Sequence, residues 1–362
     1  MSLDPAGANG RPVRAVRIAS APVSFGVYLA GRAAIGPDEM LAAMREAGYD
    51  GTDSGPLGYL GTGPGLARRL ARHGLGLAGG WVDLRYGDPG GFAEDVVALE
   101  AALDVFAAVP VDDPRFAPRP TLACPDNPER YARPGMPADR RLRIPDEEWP
   151  AFAARVREAA ARCRDRGLEP AFHHHLGTDV ETPEEIERLL DLTDVSLCLD
   201  TGHLWLAGGD PVRALRDWAP RIRQVHVKDA ARDTLARVRA AGGDLAELVR
   251  RGGFRPLGSG DLNVSAIAAE LRRVGYEGWI VVEQDVVAPE PDPPGAGGAA
   301  GRPGTDAGAA GSTWSRPDAP AGSTWSRPDA PAGPYAAVLA RAVENQRDNL
   351  AVLDAALRSA GL

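Results

Sequence analysis

Cysteine is scarce in this sequence. The 362 residues include three cysteines, Cys124, Cys163 and Cys198, and no two of them form a CxxC pair. An odd number of distant cysteines predicts reduced, buried thiols and argues against a disulfide framework. No apolar run approaches the ~20 residues that span a bilayer, and the first residues lack the apolar segment of a signal peptide. These absences predict a cytoplasmic protein with no membrane partner.

Basic residues are outnumbered by acidic ones. Lys and Arg total 41 against 50 Asp and Glu, which gives a formal net charge of −9. Binding to a phosphate backbone needs a basic surface, so nucleic acid is not expected as a partner. Histidine is also scarce, with six residues, so the positions of the histidines are informative.

Short apolar or β-branched segments alternate with amphipathic segments along most of the chain. Eight candidate strands lie at 15–20, 50–55, 75–82, 119–124, 168–175, 195–200, 222–229 and 279–285. Alternating strands and helices predict βα units, and eight of each favour an α/β fold of the (β/α)8 TIM-barrel type. A doubly wound sheet is the alternative. It would place a glycine-rich phosphate turn after the first strand, where this chain has SAPVSFG.

Residues 288–333 differ in composition from the rest of the chain. They are rich in proline, glycine and alanine, and they contain AGSTWSRPDAP twice in tandem, at 310–320 and 321–331. Such a segment cannot bury a core, so we expect a disordered linker there and a disordered N-terminus at 1–14. Apolar residues at helical spacing resume after Pro334. We therefore expect a barrel body at 15–287 that is completed by a C-terminal helix at 334–362.

Five of the six histidines lie at the ends of predicted strands: His173, His174, His175, His203 and His226. Active sites of TIM barrels are built at the C-terminal ends of the strands. Because side chains alternate along a strand, His173 and His175 share one face and His174 points to the other. Two imidazoles directed into a barrel mouth need a metal or a substrate as partner. His174 is equally well explained as a hydrogen-bonded core residue.

Ionisable side chains also end the next three predicted strands. Asp200 ends the sixth strand, where it could alternatively cap a helix, and His203 follows in the loop. The seventh strand places His226 and Lys228 on one face, and the eighth ends in VVEQD with Glu283 after an apolar run. Four successive strands thus direct His, Asp or Glu to one rim. Mixed nitrogen and oxygen ligands predict a divalent metal, namely Mn²⁺, Fe²⁺, Co²⁺ or Zn²⁺.

These motifs resemble those of one family. HHHLGTDVETPEEIERLL at 173–190, LDTGHLWLAGGDP at 199–211, HVKD and VVEQD resemble the xylose-isomerase-like TIM barrels. That family includes sugar isomerases, epimerases and dehydratases, as well as endonuclease IV. HHHLGT followed by LDTGH is most similar to its inosose dehydratase branch, and the resemblance covers about residues 15–285 and the last helix. It implies a metal-dependent enzyme with a small polyol or sugar as substrate.

The resemblance also implies the metal ligands. One ligand from each of strands five to eight carries over to four positions of this chain: His173, Asp200, His226 and Glu283. Many epimerases and isomerases of the family have glutamate at the position of His173. The two-carboxylate epimerase mechanism is therefore in doubt, and a dehydratase fits better. Whether His173 or His175 is the strand-five ligand stays open.

The implied reaction begins with removal of the proton next to a metal-bound carbonyl of a polyhydroxylated ketone. We expect Glu283 or His175 to be the base and Lys228 to hold the enediolate. His203 or His175 would be the acid that helps a hydroxyl to leave. A sugar or sugar-phosphate isomerase or epimerase is the first alternative, and a non-catalytic sugar-binding barrel is the second. The early strands lack histidine, which argues against endonuclease IV, and a homo-oligomer stays open.

Overall fold

A computed structural model of the chain describes residues 15–28, 33, 35–286 and 334–362. Its strands are Val16–Ser20 (β1), Gly51–Asp53 (β2), Gly76–Asp83 (β3), Arg119–Ala123 (β4), Ala171–His173 (β5), Ser196–Asp200 (β6), Ile222–Val227 (β7), Asp229–Ala230 (β8), Phe254–Arg255 (β9) and Gly278–Val282 (β10). Eight of them close a parallel barrel in chain order, with β10 between β7 and β1. The predicted (β/α)8 TIM barrel is confirmed. The segments 1–14 and 288–333, including the tandem repeat, lie outside the described residues, so the domain boundaries stay a prediction.

Helices surround the barrel. Those among the described residues are Pro37–Ala47 (α1), Gly63–His73 (α2), Pro89–Ala107 (α3), Pro128–Tyr131 (α4), Trp149–Asp165 (α5), Pro183–Leu192 (α6), Thr201–Leu206 (α7), Pro211–Asp217 (α8), Arg232–Ala240 (α9), Leu245–Arg250 (α10), Val264–Arg273 (α11) and Pro334–Ala360 (α12). Their ends follow local signals. Helix α1 begins with a proline and ends before Gly48, whose φ of 106° is left-handed. Within the same residues, no helix is both long and apolar enough to cross a bilayer.

Helix α12 covers the junction between the first and the last barrel strand. It packs against α1, α11 and β10, and it buries Leu353 in the main core. Two buried amides fasten it to the barrel. Gln346 Oε1 accepts a hydrogen bond from Ser20 Oγ at 2.9 Å, and Asn349 Oδ1 accepts one from the Leu257 backbone N–H at 2.7 Å. The last helix is therefore attached close to the C-terminal ends of β1 and β10.

The seventh barrel strand is shorter than predicted. A strand was expected at 222–229, but β7 ends at Val227, and Asp229 begins β8, which pairs antiparallel with β9. The reason lies in the Asp229 carboxylate. It accepts the backbone N–H groups of Gly258 and Gly260 at 2.9 Å each and that of Leu262 at 3.1 Å. The GSGDL segment at 258–262 is thus folded around one buried side chain.

Candidate metal centre

The four side chains implied as ligands meet at the C-terminal end of the barrel. His173 ends β5, Asp200 ends β6, His226 lies in β7 and Glu283 directly follows β10. One donor atom from each lies within 4.8 Å of the donor atoms of the others. The side chain of Glu283 is 13% exposed, and the other three are buried. We call this group of four the carboxylate position.

The spacing of the donor atoms suits a single ion. His226 Nδ1 lies 3.3 Å from Glu283 Oε2. Asp200 Oδ2 lies 3.6 Å from His173 Nε2 and 4.0 Å from His226 Nδ1. Donor atoms that bind one ion at about 2.0–2.2 Å are roughly 3.0–3.6 Å apart. The side chains would therefore need to move only slightly to share an ion.

The states of two of these side chains, Asp200 and His173, also fit a divalent metal. Asp200 Oδ1 accepts the backbone N–H of His203 at 2.8 Å, so Asp200 does cap α7. Its other oxygen, Oδ2, is buried and has no hydrogen-bond partner among the described residues. The nearest positive charge is Lys228 Nζ at 3.5 Å, too far for a good hydrogen bond, so a closely bound cation would stabilise this buried oxygen further. Burial lowers the pKa of His173, so this ring offers a neutral nitrogen.

Lys228 stands between the carboxylates. It is the only lysine in the sequence, and all the other residues in the total of 41 Lys and Arg are arginine. Its buried Nζ lies 2.9 Å from Glu283 Oε2, 3.2 Å from Asp285 Oδ2 and 3.5 Å from Asp200 Oδ2. Burial alone would lower the pKa of Lys228, but these carboxylates outweigh it and raise that pKa. The ammonium therefore stays charged.

The pKa values of the two acids after β10 shift in opposite directions. Burial would raise the pKa of Glu283, but Lys228 and His226 outweigh it and hold that pKa well below its usual range. Burial raises the pKa of Asp285 to about 6, although Lys228 opposes it, because the negative charges of Glu283 and Asp200 add to burial. Glu283 is thus the stronger acid of the two and is ionised over the wider pH range, as a ligand or a base must be.

His175 and His203 form a second pair next to the carboxylate position. Their ring centroids are 3.7 Å apart, and His203 Nε2 accepts a hydrogen bond from Lys228 Nζ at 2.9 Å. The Trp81 ring lies 5.2 Å from the rings of both His173 and His175. Burial and the neighbouring His173 ring lower the pKa of His175 to about 3, and burial also lowers that of His203. Both rings are therefore neutral, which suits a base better than an acid.

His174 lies apart from this group of donors. Its Nε2 accepts the backbone N–H of Asp200 at 3.2 Å, and the residue is fully buried between β5 and β6. That hydrogen bond joins the two strand ends that provide His173 and Asp200. His174 is thus a core residue that supports the candidate ligands from behind.

Asp53 is the site residue that the sequence analysis missed. It ends β2, is 7% exposed, and its Oδ2 lies 3.9 Å from His226 Nε2. Burial raises the pKa of Asp53 to about 6, with His226 opposing and Glu283 reinforcing the shift. The signal was present in the segment DGTDSG, where an acid follows a short predicted strand as Asp200 does.

Comparisons of sequence and structure find similar proteins. The family model described as xylose isomerase-like TIM barrel matches residues 121–301. The chain is 35% identical over 250 residues to the rhizopine catabolism protein MocC of Rhizobium meliloti, covering 68% of this chain and 74% of that protein. It is 32% identical over 253 residues to the inosose dehydratase of Geobacillus kaustophilus, covering 68% of this chain and 80% of that protein.

Solved structures share the fold. One is the crystal structure of the IolI protein with a bound zinc atom. It matches with a TM-score of 0.52 and 14% identity, and the match covers 75% of this chain and 89% of that chain. At this level of identity, the likeness concerns the fold alone.

Proposed function

This chain belongs to the xylose isomerase-like TIM-barrel family, as its motifs predicted, and on that premise we propose a metal-dependent lyase. Its substrate would be a polyhydroxylated ketone, and its reaction would be a dehydration like that of the related inosose dehydratase. The similarity to the inosose dehydratase of Geobacillus kaustophilus favours a lyase over the other reactions of the family.

One observation carries the proposal more than any other. Asp200 Oδ2 is buried without a hydrogen-bond partner among the described residues, and it lies within 3.6 Å and 4.0 Å of nitrogens of His173 and His226. A divalent ion held there together with Glu283 would polarise the carbonyl of the substrate and acidify the adjacent C–H. A zinc atom bound by the structurally similar IolI protein agrees with this class of ion.

The remaining side chains supply the proton transfers. Glu283, ionised, or His175, neutral, would remove the proton from the carbon next to the carbonyl. The Lys228 ammonium, 2.9 Å from Glu283, would stabilise the negative charge that develops on the substrate. The base that has taken this proton would return it to the hydroxyl that leaves, while Lys228 holds the His203 ring beside the site by a hydrogen bond of 2.9 Å to Nε2. The products are an unsaturated ketone and water.

The nature of the strand-five residue separates dehydration from epimerisation. Epimerisation with two carboxylates needs an acid on each side of the reacting carbon. Here β5 ends in His173, and one donor atom of its ring lies within 4.8 Å of one of Glu283, so an imidazole stands where a second carboxylate is needed. We therefore rank a sugar or sugar-phosphate isomerase or epimerase second.

The test is incubation of the purified chain with scyllo-inosose and with ketohexoses in D₂O, in the presence of Mn²⁺ or Co²⁺. Dehydration should produce an unsaturated ketone that absorbs in the ultraviolet, together with loss of one proton signal in NMR. Solvent deuterium at one carbon without that absorption would indicate the isomerase or epimerase alternative. If neither class of substrate exchanges a proton, the lyase proposal is wrong.

A metal analysis separates the enzyme from a non-catalytic sugar-binding barrel. We expect about one divalent ion per chain, lost in His226→Ala and kept in the control His73→Ala. His73 lies on α2, where its Nε2 contacts Asp38 at 3.1 Å, far from the barrel mouth. Sugar binding that is unchanged in His226→Ala, with no ion in the parent chain, would favour the binding protein.

A further inference from the structure

A thiol lies beside the candidate metal centre. Cys198 is fully buried in β6, two residues before Asp200, so both side chains point to the same side of the strand. Its Sγ and one nitrogen each of His173 and His226 lie within 4.8 Å of one another. The two imidazoles thus belong to two groups of donors. One group is completed by carboxylates and the other by sulfur.

We propose that Cys198 completes a second metal position that overlaps the carboxylate position and selects thiophilic ions. We call the group of Cys198, His173 and His226 the thiol position. The inference rests on the proposed function, since both positions share the same two imidazoles. It adds a regulatory consequence: a strongly thiophilic ion such as Cd²⁺ would bind in competition with the ion that supports the reaction.

The strand register places the thiol deeper in the barrel than the carboxylate. Asp200 is paired with His226 of β7, whereas Cys198 is paired with Gln224 of the same strand. Because the strands are parallel and the mouth lies at their C-terminal ends, Cys198 is one inward-facing layer further from the mouth than Asp200. A substrate that enters at the mouth would meet an ion in the carboxylate position before one in the thiol position.

The other two cysteines provide a comparison within the molecule. Cys124 and Cys163 pack among the apolar residues of the main core, as buried thiols usually do. Cys198 instead adjoins two imidazoles that each have a buried nitrogen without a hydrogen-bond partner among the described residues, His173 Nδ1 and His226 Nε2. Buried polar atoms of this kind call for a partner. Each ring therefore retains donor capacity beyond its contacts with the carboxylates.

The softness of the ligands separates the two positions. Thiolate sulfur favours soft ions such as Cd²⁺, whereas carboxylate oxygen suits Mn²⁺ and Mg²⁺. Because the two positions share both imidazole rings, an ion bound in one would fix the orientation of the rings and weaken binding in the other. A hard ion would occupy the carboxylate position, where the substrate can reach it. A thiophilic ion would be held below it and would inhibit.

Cadmium binding tests the thiol position directly. Titration of the full chain with Cd²⁺ should produce a thiolate-to-metal charge-transfer band in the ultraviolet difference spectrum. The band should be present in the parent chain and in the control Cys163→Ser, and absent in Cys198→Ser. In competition with Mn²⁺, Cys198→Ser should lose at least about tenfold of the preference for Cd²⁺, since even an outer-shell partner is worth ~10–100-fold in metal affinity.

Cadmium NMR of the parent chain answers the same question without a variant, because a sulfur ligand shifts the cadmium resonance strongly downfield. If one Cd²⁺ binds with neither the band nor the shift, the thiol position is wrong and the carboxylate position stands. If the band is lost in Cys163→Ser instead, the wrong thiol was chosen. If no divalent ion binds at all, this inference and the proposed metal centre fail together.

Discussion

The two halves of the barrel rim carry different chemistry. In the half made of β5, β6, β7 and β10, every strand ends at or beside a member of the carboxylate position. In the half made of β1 to β4, the strands end in Ser20, Asp53, Asp83 and Ala123 and contain no histidine. One half therefore carries the candidate donors for a metal, and the other half faces those side chains across the mouth.

The first half still acts on the site, through Asp53 and Trp81. Asp53 Oδ2 lies 3.9 Å from His226 Nε2, the nitrogen on the far side of the ring from Glu283. The Trp81 ring packs at 5.2 Å against the ring of His173. Each thus contacts a candidate ligand from outside the set of donors. A metal site needs both the donors and the groups that orient them, and the two halves of this rim divide these roles.

The largest effect is expected from a change confined to the second half. Asp200→Asn keeps a side-chain oxygen that can cap α7, but it removes the negative charge from the carboxylate position. We expect the bound metal to be lost and the activity to fall by about a thousandfold, since a metal supplies several kcal/mol of transition-state stabilisation. Metal analysis and initial rates with scyllo-inosose measure both quantities.

The matched control for that change is Asp210→Asn. Asp210 caps α8 by accepting the backbone N–H groups of Val212 at 2.9 Å and Arg213 at 3.2 Å, and it takes no part in the rim. Its variant should keep both metal and activity. Equal losses in the two variants would mean that the capping of helices, and not the charge at the rim, explains the result for Asp200.

The next effect concerns the cation of the second half. Lys228→Met leaves buried carboxylates without their partner, which should lower the free energy of unfolding by about 3 kcal/mol in the presence of EDTA. Mn²⁺ should restore part of this loss, because it supplies positive charge to the same oxygens. Urea unfolding with and without Mn²⁺ measures the difference, and equal losses in both conditions would contradict a shared role.

Arginine should not replace this lysine. A Cβ on Gly202 would lie 2.8 Å from Lys228 Cγ, so the space beside the side chain is narrow. The planar guanidinium is wider than an ammonium and cannot direct one nitrogen to three carboxylates. Lys228→Arg should therefore be less stable than the parent chain although it keeps the charge.

The second half of the rim was predictable because its strands are regular. Apolar residues with a period of two, followed by an ionisable residue, are enough to place Asp200 and His226 at the C-terminal end of a barrel. The family resemblance, and not the spacing, implied which four side chains bind one metal ion. Alternation could not rank His173 above His175 as the strand-five donor, because β5 ends at His173 and the backbone then leaves the strand direction.

The first half was not predictable to the same depth. Strand β2 has three residues, and its register with β3 shifts between Thr52 and Asp53, so no alternation marks the inward side. The approach of Asp53 to His226 depends on closure of the barrel, which no local pattern encodes. The β8–β9 hairpin was missed for a similar reason, since strands of two residues have no period.

A smaller effect is expected when the first half is changed at its contact with the second. If the Asp53 carboxylate orients the His226 ring, Asp53→Asn should weaken Mn²⁺ binding by about 10–100-fold and leave the fold intact. The control is Asp95→Asn on α3, outside the barrel, which removes a buried carboxylate that pairs with Arg85. It should reduce stability without changing Mn²⁺ affinity. An unchanged Mn²⁺ affinity in Asp53→Asn would mean that the first half encloses the site but does not contribute to metal binding.

The smallest effect is expected at the seam between the halves, where β1 pairs with β10 and α12 lies over both. Asn349 on that helix accepts the Leu257 N–H at 2.7 Å and donates to Gln284 Oε1 at 3.4 Å. Asn349→Ala should lower the free energy of unfolding by about 1–2 kcal/mol, because a buried amide loses its partner. The control Asn345→Ala, half-buried on the same helix, should cost less than about 0.5 kcal/mol.

Gln284 lies between Glu283 and Asp285 in the sequence. The same variant therefore tests whether a change at the seam alters the position of Glu283 in the metal centre. We expect no change in Mn²⁺ affinity for Asn349→Ala, because Glu283 is held from inside the barrel by Lys228 at 2.9 Å and His226 at 3.3 Å. Isothermal titration of both variants with Mn²⁺ decides the question. Weaker binding in Asn349→Ala alone would show that the orientation of donors depends on α12 as well as on the first half.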